Sequence, residues 1–291
     1  LHDSLAANQI ESIEGIVKAT TNINNSNMDD SGVSYGDALR VAQKKGYAEA
    51  DPTNDVAGYD AARKLAILAS IGFHANFTFD DVLVEGIENI SQNDVQYASE
   101  MGYTIKLLAV AIRQENGIAL NVYPAFVPRS HPLASVKGSY NAIYVTGNIV
   151  DDVMFYGKGS GSLPTACAVM GDVISTAKHI LNHSTGTGMM LTETKRMPFY
   201  SSLKLENSYY FRLIVDDVTG VLSQIASAYA DNDISIKEVV QKSRIEDAAE
   251  LMIITEKTPR ENIIHVEKAL QVLPCMRQVA NVVRVMEDDR K

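Results

Sequence analysis

The chain has 291 residues, with 36 acidic against 26 basic side chains, a formal charge of −10 and 46% apolar residues. That length and apolar content are enough for two domains, each with its own core, and exclude disorder for most of the chain. A surface this acidic, with no Lys/Arg-rich stripe, repels phosphate backbones and anionic headgroups; nucleic acid and membrane surfaces are excluded as partners, and small polar ligands remain.

In chain order, Ile10, Ile13, Ile16 and Val17 among polar neighbours predict a strand over 9–17. The Asn/Asp/Ser/Thr-rich stretch 20–32 predicts an irregular, exposed or ligand-facing loop. Ser34 opens a helix that Gly46 stops. A second helix, capped by Asn54 or Asp55, runs through DAARKLAILASIG with Gly58 inside its first turns and Ala62, Leu65, Ala66, Leu68 and Ala69 as its apolar face. Its apolar stretch, 65–79, is broken by Ser70, His74, Asn76 and Thr78 and falls short of the roughly 20 residues of a bilayer span. Ser91 and Asp94 have capping-box spacing for a helix to about Met101. Two strands joined at Glu115-Asn116-Gly117 form a hairpin, and a second pair, NAIYVTG and DDVMFYG, leads through the glycine loop 157–161 into a helix from Pro164 to about Leu181. Residues 183–206 carry no period and read as a linker. From 209 to 285 the pattern is strand, helix, strand, strand, helix, strand, the βαββαβ order of a split ferredoxin-like unit.

Chemistry concentrates around 46–64. Asp60 and Lys64 lie four apart, on one face of a helix. A surface ion pair worth about 0.3–0.5 kcal/mol is one reading. The other starts from the apolar run that follows Lys64 directly: a partly desolvated ammonium held by Asp60 can act as a proton donor. Glu49, Asp51 and Asp55 add carboxylates that suit a substrate ammonium or form a solvated acidic loop. The loop GKGSG (157–161) is either a tight turn or a set of free N–H groups facing an anion or a cofactor edge; its spacing is not that of a dinucleotide fingerprint. His179 and His183 have a zinc-pair spacing without the glutamate between them, and no metal site is expected. Cys167 and Cys275, far apart and matching no ligand spacing, fit a reducing compartment, the cytosol by default. No signal-peptide pattern is present, and the start on Leu1 reads as a cut edge.

The strings SLAANQIESIEGIV (4–17), TTN (20–22), GYAEADPTNDVAGYDAARKLAIL (46–68), GKGSGSLPTACAVMGDV (157–173) and the run from DVTGVLSQIA to ISI (217–236) resemble homoserine dehydrogenases, from just beyond their nucleotide-binding domain to the C-terminus. The resemblance implies an α+β chain: a mixed-sheet catalytic and dimerisation domain (1–185), a linker (186–205) and a ferredoxin-like βαββαβ ACT regulatory domain (206–291). It implies interconversion of L-homoserine and L-aspartate 4-semialdehyde with NAD or NADP in a cytoplasmic homodimer. Lys64 would be the acid–base residue, oriented by Asp60, with Glu49 on the substrate ammonium and Tyr47, Asp55 and Thr20 completing the pocket. Gly157, Gly159 and Gly161 would approach the cofactor, and Asp217, Gly220, Val221 and Leu222 would bind an effector, threonine being the family's usual inhibitor. The nucleotide-binding domain and the family's metal-binding loop would precede Leu1, so the chain by itself would not turn over. Three departures are Lys18-Ala19, where the family commonly has Asn-Gly, Ile23-Asn24-Asn25, where it has a more apolar, often aromatic run, and Thr219, where ACT domains often have proline. The rival readings are an amino-acid sensor working through its C-terminal unit and a purely structural oligomerisation protein.

Overall fold

The computed structural model describes residues 4–18, 21–22, 40, 53–184, 197–245 and 247–287. The helix expected from Ser34 and nearly all of the 20–32 loop lie outside the described residues. Two compact units divide the chain: the first takes its residues from 1–87, 107–123 and 135–200, the second from 88–106, 124–134 and 201–291. No helix among the described residues is long and apolar enough to cross a membrane.

In the first unit, β1 (Ile10–Ile16) lies between β3 (Tyr103–Gln114) and β5 (Tyr140–Gly147), antiparallel to both. Ile13 pairs with Ala111 on one side and Val145 on the other. β6 (Asp151–Lys158) pairs antiparallel with β5, β4 (Gly117–Pro128) flanks β3, and the two-residue β2 (Leu83–Val84) adds parallel to β4. The sheet is mixed, as expected.

The single helix expected from Asn54 or Asp55 is instead two. A short α1 (Thr53–Val56) stops, Gly58 takes φ 84°, and α2 (Tyr59–Phe73) begins after it. The left-handed turn at Gly58 cannot continue a helix and is open to glycine without the steric cost other residues bear. A Cβ added at Gly58 would lie 3.0 Å from Val122 Cγ1 and 3.1 Å from Val84 Cγ1. Ala61, Ala62, Leu65, Ala66 and Ala69 form the buried stripe of α2 at i, i+3, i+4 spacing. Its small residues let it approach the sheet closely: a Cβ on Gly72 would be 2.7 Å from Ile13 Cδ1. After β6, α4 (Ser162–Leu181) presents no buried residue over its 20 positions. A parallel bridge from Ile118 to Phe199 gives the end of the aperiodic stretch a fixed place on β4.

In the second unit, α3 (Gln92–Glu100) starts with the capping box read from the sequence, Ser91 Oγ accepting from the Asp94 N–H and Asp94 accepting from the Ser91 N–H. Residues 206–285 then run β7 (Glu206–Asp216), α5 (Val221–Ala230), β8 (Ile236–Ile245), β9 (Ala248–Thr255), β10 (Thr258–Pro259), α6 (Arg260–Gln271) and β11 (Met276–Val285). The strands lie in the order β11-β7-β9-β8, with β10 added to β7. Counting the four long strands as first to fourth, this is 4-1-3-2, the arrangement that a βαββαβ chain adopts. Phe211, Leu213, Ile225, Tyr229, Ile253, Ile263, Val266 and Leu270 interdigitate beneath it with no measurable exposure. β11 also pairs parallel with β4 at Ala125 and Phe126.

A polar cluster is buried in the second unit. Arg212 on β7 donates from Nε to Asp94 Oδ1 at 2.7 Å, from Nη1 to Glu250 Oε1 at 3.1 Å and from Nη2 to Ser91 Oγ at 3.1 Å. Tyr97 donates to Glu250 at 2.5 Å, and Asn281 donates to Asp94 at 2.8 Å.

Candidate active site

The end of β1 and the start of α2 bring four charges together. Asp60 lies in the first turn of α2, where the exposed N–H groups favour a carboxylate. One turn on, Lys64 Nζ is 2.9 Å from Asp60 Oδ2 and donates to the Val17 carbonyl at 2.9 Å. Lys18 Nζ is 2.7 Å from Asp55 Oδ1 and 3.4 Å from the same Asp60 oxygen. Burial works against ionisation of Asp60, but the Lys64 and Lys18 ammoniums outweigh it and hold the carboxyl below its ordinary value. Burial likewise disfavours the Lys18 cation, and Asp55 and then Asp60 more than compensate, so its ammonium is held above the usual lysine range.

Lys64 opens onto a cleft of about 450 Å³ whose lining includes Val17, Leu68, Ile143, Phe155, Gly157 and Gly159. The lysine and two of the three loop glycines picked out from the sequence therefore share one cavity. Lys64 keeps 43% of its side-chain surface exposed, so it can exchange protons with solvent while its ammonium is fixed from two sides. Gly157 leaves the cleft wall open, an added Cβ meeting nothing within 4 Å, and at Gly159 an added Cβ would be 2.0 Å from Asn141 Nδ2. Gly161, with φ 117°, is the N-cap of α4. Asn22, of the TTN string, donates to the carbonyls of Gly138 and Tyr140 at 3.1 Å and 3.2 Å, tying the segment after β1 to the start of β5.

Tyr47, Glu49 and Thr20 lie outside the described residues. Asp217, Gly220, Val221 and Leu222 belong to the second unit: Gly220, at φ 89°, is the N-cap of α5, Leu222 is exposed, and Val221 is buried in the core with its N–H at the first position of the helix. His179 meets Ser184, with 3.0 Å between Nδ1 and Oγ, and no group of three potential metal ligands occurs among the described residues. Cys167 is exposed and Cys275 buried, both unpaired.

Three groups escaped the sequence reading as parts of this site: Lys18, the Val17 carbonyl and Asn141. Lys18 stood out there only as a departure, and its one local sign is a lone cation at the end of an apolar strand. A carbonyl at a strand end and an asparagine opening another carry no signal of their own.

Residues 1–174 match the homoserine dehydrogenase family. A homoserine dehydrogenase of Corynebacterium glutamicum is 40% identical over 99% of this chain and 65% of its own length, so the chain spans about two thirds of that relative. The crystal structure of a homoserine dehydrogenase from Thiobacillus denitrificans superposes with a TM-score of 0.92 at 35% identity, covering 98% of this chain and 66% of that one. A hyperthermophilic archaeal homoserine dehydrogenase mutant in complex with NADPH matches 61% of this chain and 50% of its own, with a TM-score of 0.50 at 26% identity. The chain belongs to the homoserine dehydrogenase family.

Proposed function

We propose that the chain carries the substrate side of a homoserine dehydrogenase, which interconverts L-homoserine and L-aspartate 4-semialdehyde with NAD or NADP in the synthesis of threonine and methionine. The observation that carries this reading is Lys64: an ammonium fixed by Asp60 and the Val17 carbonyl at the edge of a cleft walled by Gly157 and Gly159. The bare wall at Gly157 and the apolar Ile143 and Phe155 fit one face of a nicotinamide. When bound, the dinucleotide supplies the hydride to the aldehyde carbon. Lys64 Nζ gives its proton to the aldehyde oxygen and stabilises the negative charge that grows there. In the reverse direction, neutral Nζ takes the proton from the hydroxyl of homoserine. Asp60 keeps Nζ in place in both directions, and solvent restores its proton. Glu49 holds the substrate ammonium, with Tyr47, Asp55 and Thr20 around it, and Gly161 continues the cofactor wall. The enzyme is read as cytoplasmic, which two unpaired thiols support.

The domain reading is a catalytic unit over 1–185, a linker over 186–205 and an ACT-type regulatory domain over 206–291, supported by the 4-1-3-2 strand order. An amino-acid effector such as threonine would be met at the α5 N-terminus by Asp217, Gly220 and Leu222, and by Val221 through its backbone. A threonine-induced rise in melting temperature that disappears on truncation near residue 205 would support this, and no shift with any amino acid would refute it. Homodimerisation is supported by the apolar residues that α4 exposes, among them Leu163, Val173, Ile174 and Leu181.

NADPH oxidation by aspartate semialdehyde tests the central reading, with the chain alone and with the chain joined to a nucleotide-binding segment like that of its relatives. Turnover is expected only in the joined form. There, Lys64→Met should lower kcat by about 10²–10⁴-fold, the usual contribution of a general acid. A Met variant within threefold of the parent would overturn the assignment.

A further inference from the structure

Lys18 follows β1 directly and stands outside the cleft lining, although Val17 beside it is part of that lining. Its ammonium is shared between Asp55, at 2.7 Å, and Asp60, at 3.4 Å. Asp60 Oδ2 is thereby held by two ammoniums, Lys64 from its own helix and Lys18 from the end of β1. In the order Asp55, Lys18, Asp60, Lys64 the charges alternate and sum to zero. Among the described residues, these are the charged groups that the ion-pair geometry places around Asp60: Lys64 on α2, Lys18 after β1, and Asp55 of α1 acting through Lys18.

Without Lys18, Asp60 Oδ2 would keep Lys64 as its one ion-pair partner of the two. Asp60, with most of its surface covered, would accept a proton more readily, and its hold on Lys64 would weaken. We propose that Lys18 is a positioning residue for the reaction: it pins Asp60 from the end of β1, so that Lys64 stays between Asp60 and the Val17 carbonyl with its ammonium turned to the cleft. This deepens the dehydrogenase reading and rests on it for the role of Lys64, whereas the ion-pair chain itself can be tested without turnover.

The experiment titrates the Asp60 carboxyl by carbon-13 NMR in the whole chain, for the parent, Lys18→Met and Lys18→Arg, with Lys18→Gln in reserve should the Met variant fold poorly. Removing a cation 3.4 Å away should raise the Asp60 midpoint by about one pH unit. Arg, which keeps the charge, should restore it to within about 0.3 unit. In the turnover assay, the acid limb of kcat/KM should move upward with the Asp60 midpoint in Lys18→Met and return in Lys18→Arg. An unchanged midpoint in Lys18→Met would overturn the proposal, as would a loss of turnover that is uniform across pH and not restored by Arg. If Lys64→Met left turnover intact, the dehydrogenase reading would fail separately from the carboxyl titration.

Discussion

Replacing Arg212 by Met should destabilise the second unit severely. The guanidinium is 10% exposed and lies 2.7 Å from Asp94, which is fully buried, and 3.1 Å from Glu250, whose side chain is 5% exposed. At an effective dielectric of about 20, the two contacts amount to roughly 6 and 5 kcal/mol before desolvation of the guanidinium is set against them. Met returns the packing of the aliphatic stem but leaves two carboxylates buried with neutral donors, Ser91, Asn281 and Tyr210 to Asp94 and Tyr97 to Glu250. Removing one member of such a cluster costs about 3–5 kcal/mol. Urea unfolding followed by circular dichroism, together with hydrogen exchange of the β7 and β9 amides, would locate the loss. Adding Asp94→Asn and Glu250→Gln removes both stranded charges, so the triple variant should recover to within about 2 kcal/mol of the parent. A single variant losing under 1 kcal/mol, or a triple variant no better than the single, would refute the view that this is a mutually dependent charge cluster.

Gly58→Ala should cost about 2–3 kcal/mol, because φ 84° is strained for alanine and its Cβ would be 3.0 Å from Val122 Cγ1; thermal unfolding measures it, and a neutral result would mean the turn relaxes freely. Asn121 is 1% exposed and, among the described residues, neither end of its amide has a hydrogen-bond partner, so Asn121→Leu should stabilise by about 1–2 kcal/mol in the same assay; destabilisation would show that the amide has a role its surroundings hide. Burial, and secondarily Asp94, push the Tyr210 phenol far above its ordinary value, and burial does the same to Tyr229. The folded state then keeps protons that the unfolded chain releases above about pH 10, so this stability is fully present below that pH and falls by about 1.4 kcal/mol per pH unit for each tyrosine as pH rises. Urea midpoints between pH 9 and 11.5 should fall less steeply for Tyr210→Phe, and an unaltered slope would contradict the assignment.

The elements that local pattern governs were legible. The Ser91–Asp94 box, the β3–β4 hairpin at Glu115-Asn116-Gly117 and the strand and helix order of 206–285 rest on contacts a few residues apart. The break at Gly58 was not, because a helical apolar stripe continues across it and the close approach to Val84 and Val122 is a tertiary contact that the local spacing does not encode. Asp94 illustrates the same limit: its capping role is local, but its ion pair reaches a residue 118 positions away. In the candidate site, the Asp60–Lys64 spacing could be read on one helix, and the structure adds the ion pair at 2.9 Å. Lys18 joins them only because β1 ends beside α2, a tertiary fact that no periodicity encodes.

The outer strands of the two units, β6 in the first and β8 in the second, differ in what they offer to another polypeptide. β8 slips out of step with β9 twice, between Ile236 and Glu238 and between Gln241 and Arg244, and such kinks twist an outer strand away from a flat partner. β6 matches β5 residue for residue from Asp151 to Lys158, with no irregularity, and exposes Met154 and Tyr156. A straight outer strand with greasy side chains is a template for recruiting a further strand. Precipitation on concentrating the protein should therefore start at β6, and a lysine at Met154 is the simplest guard against it.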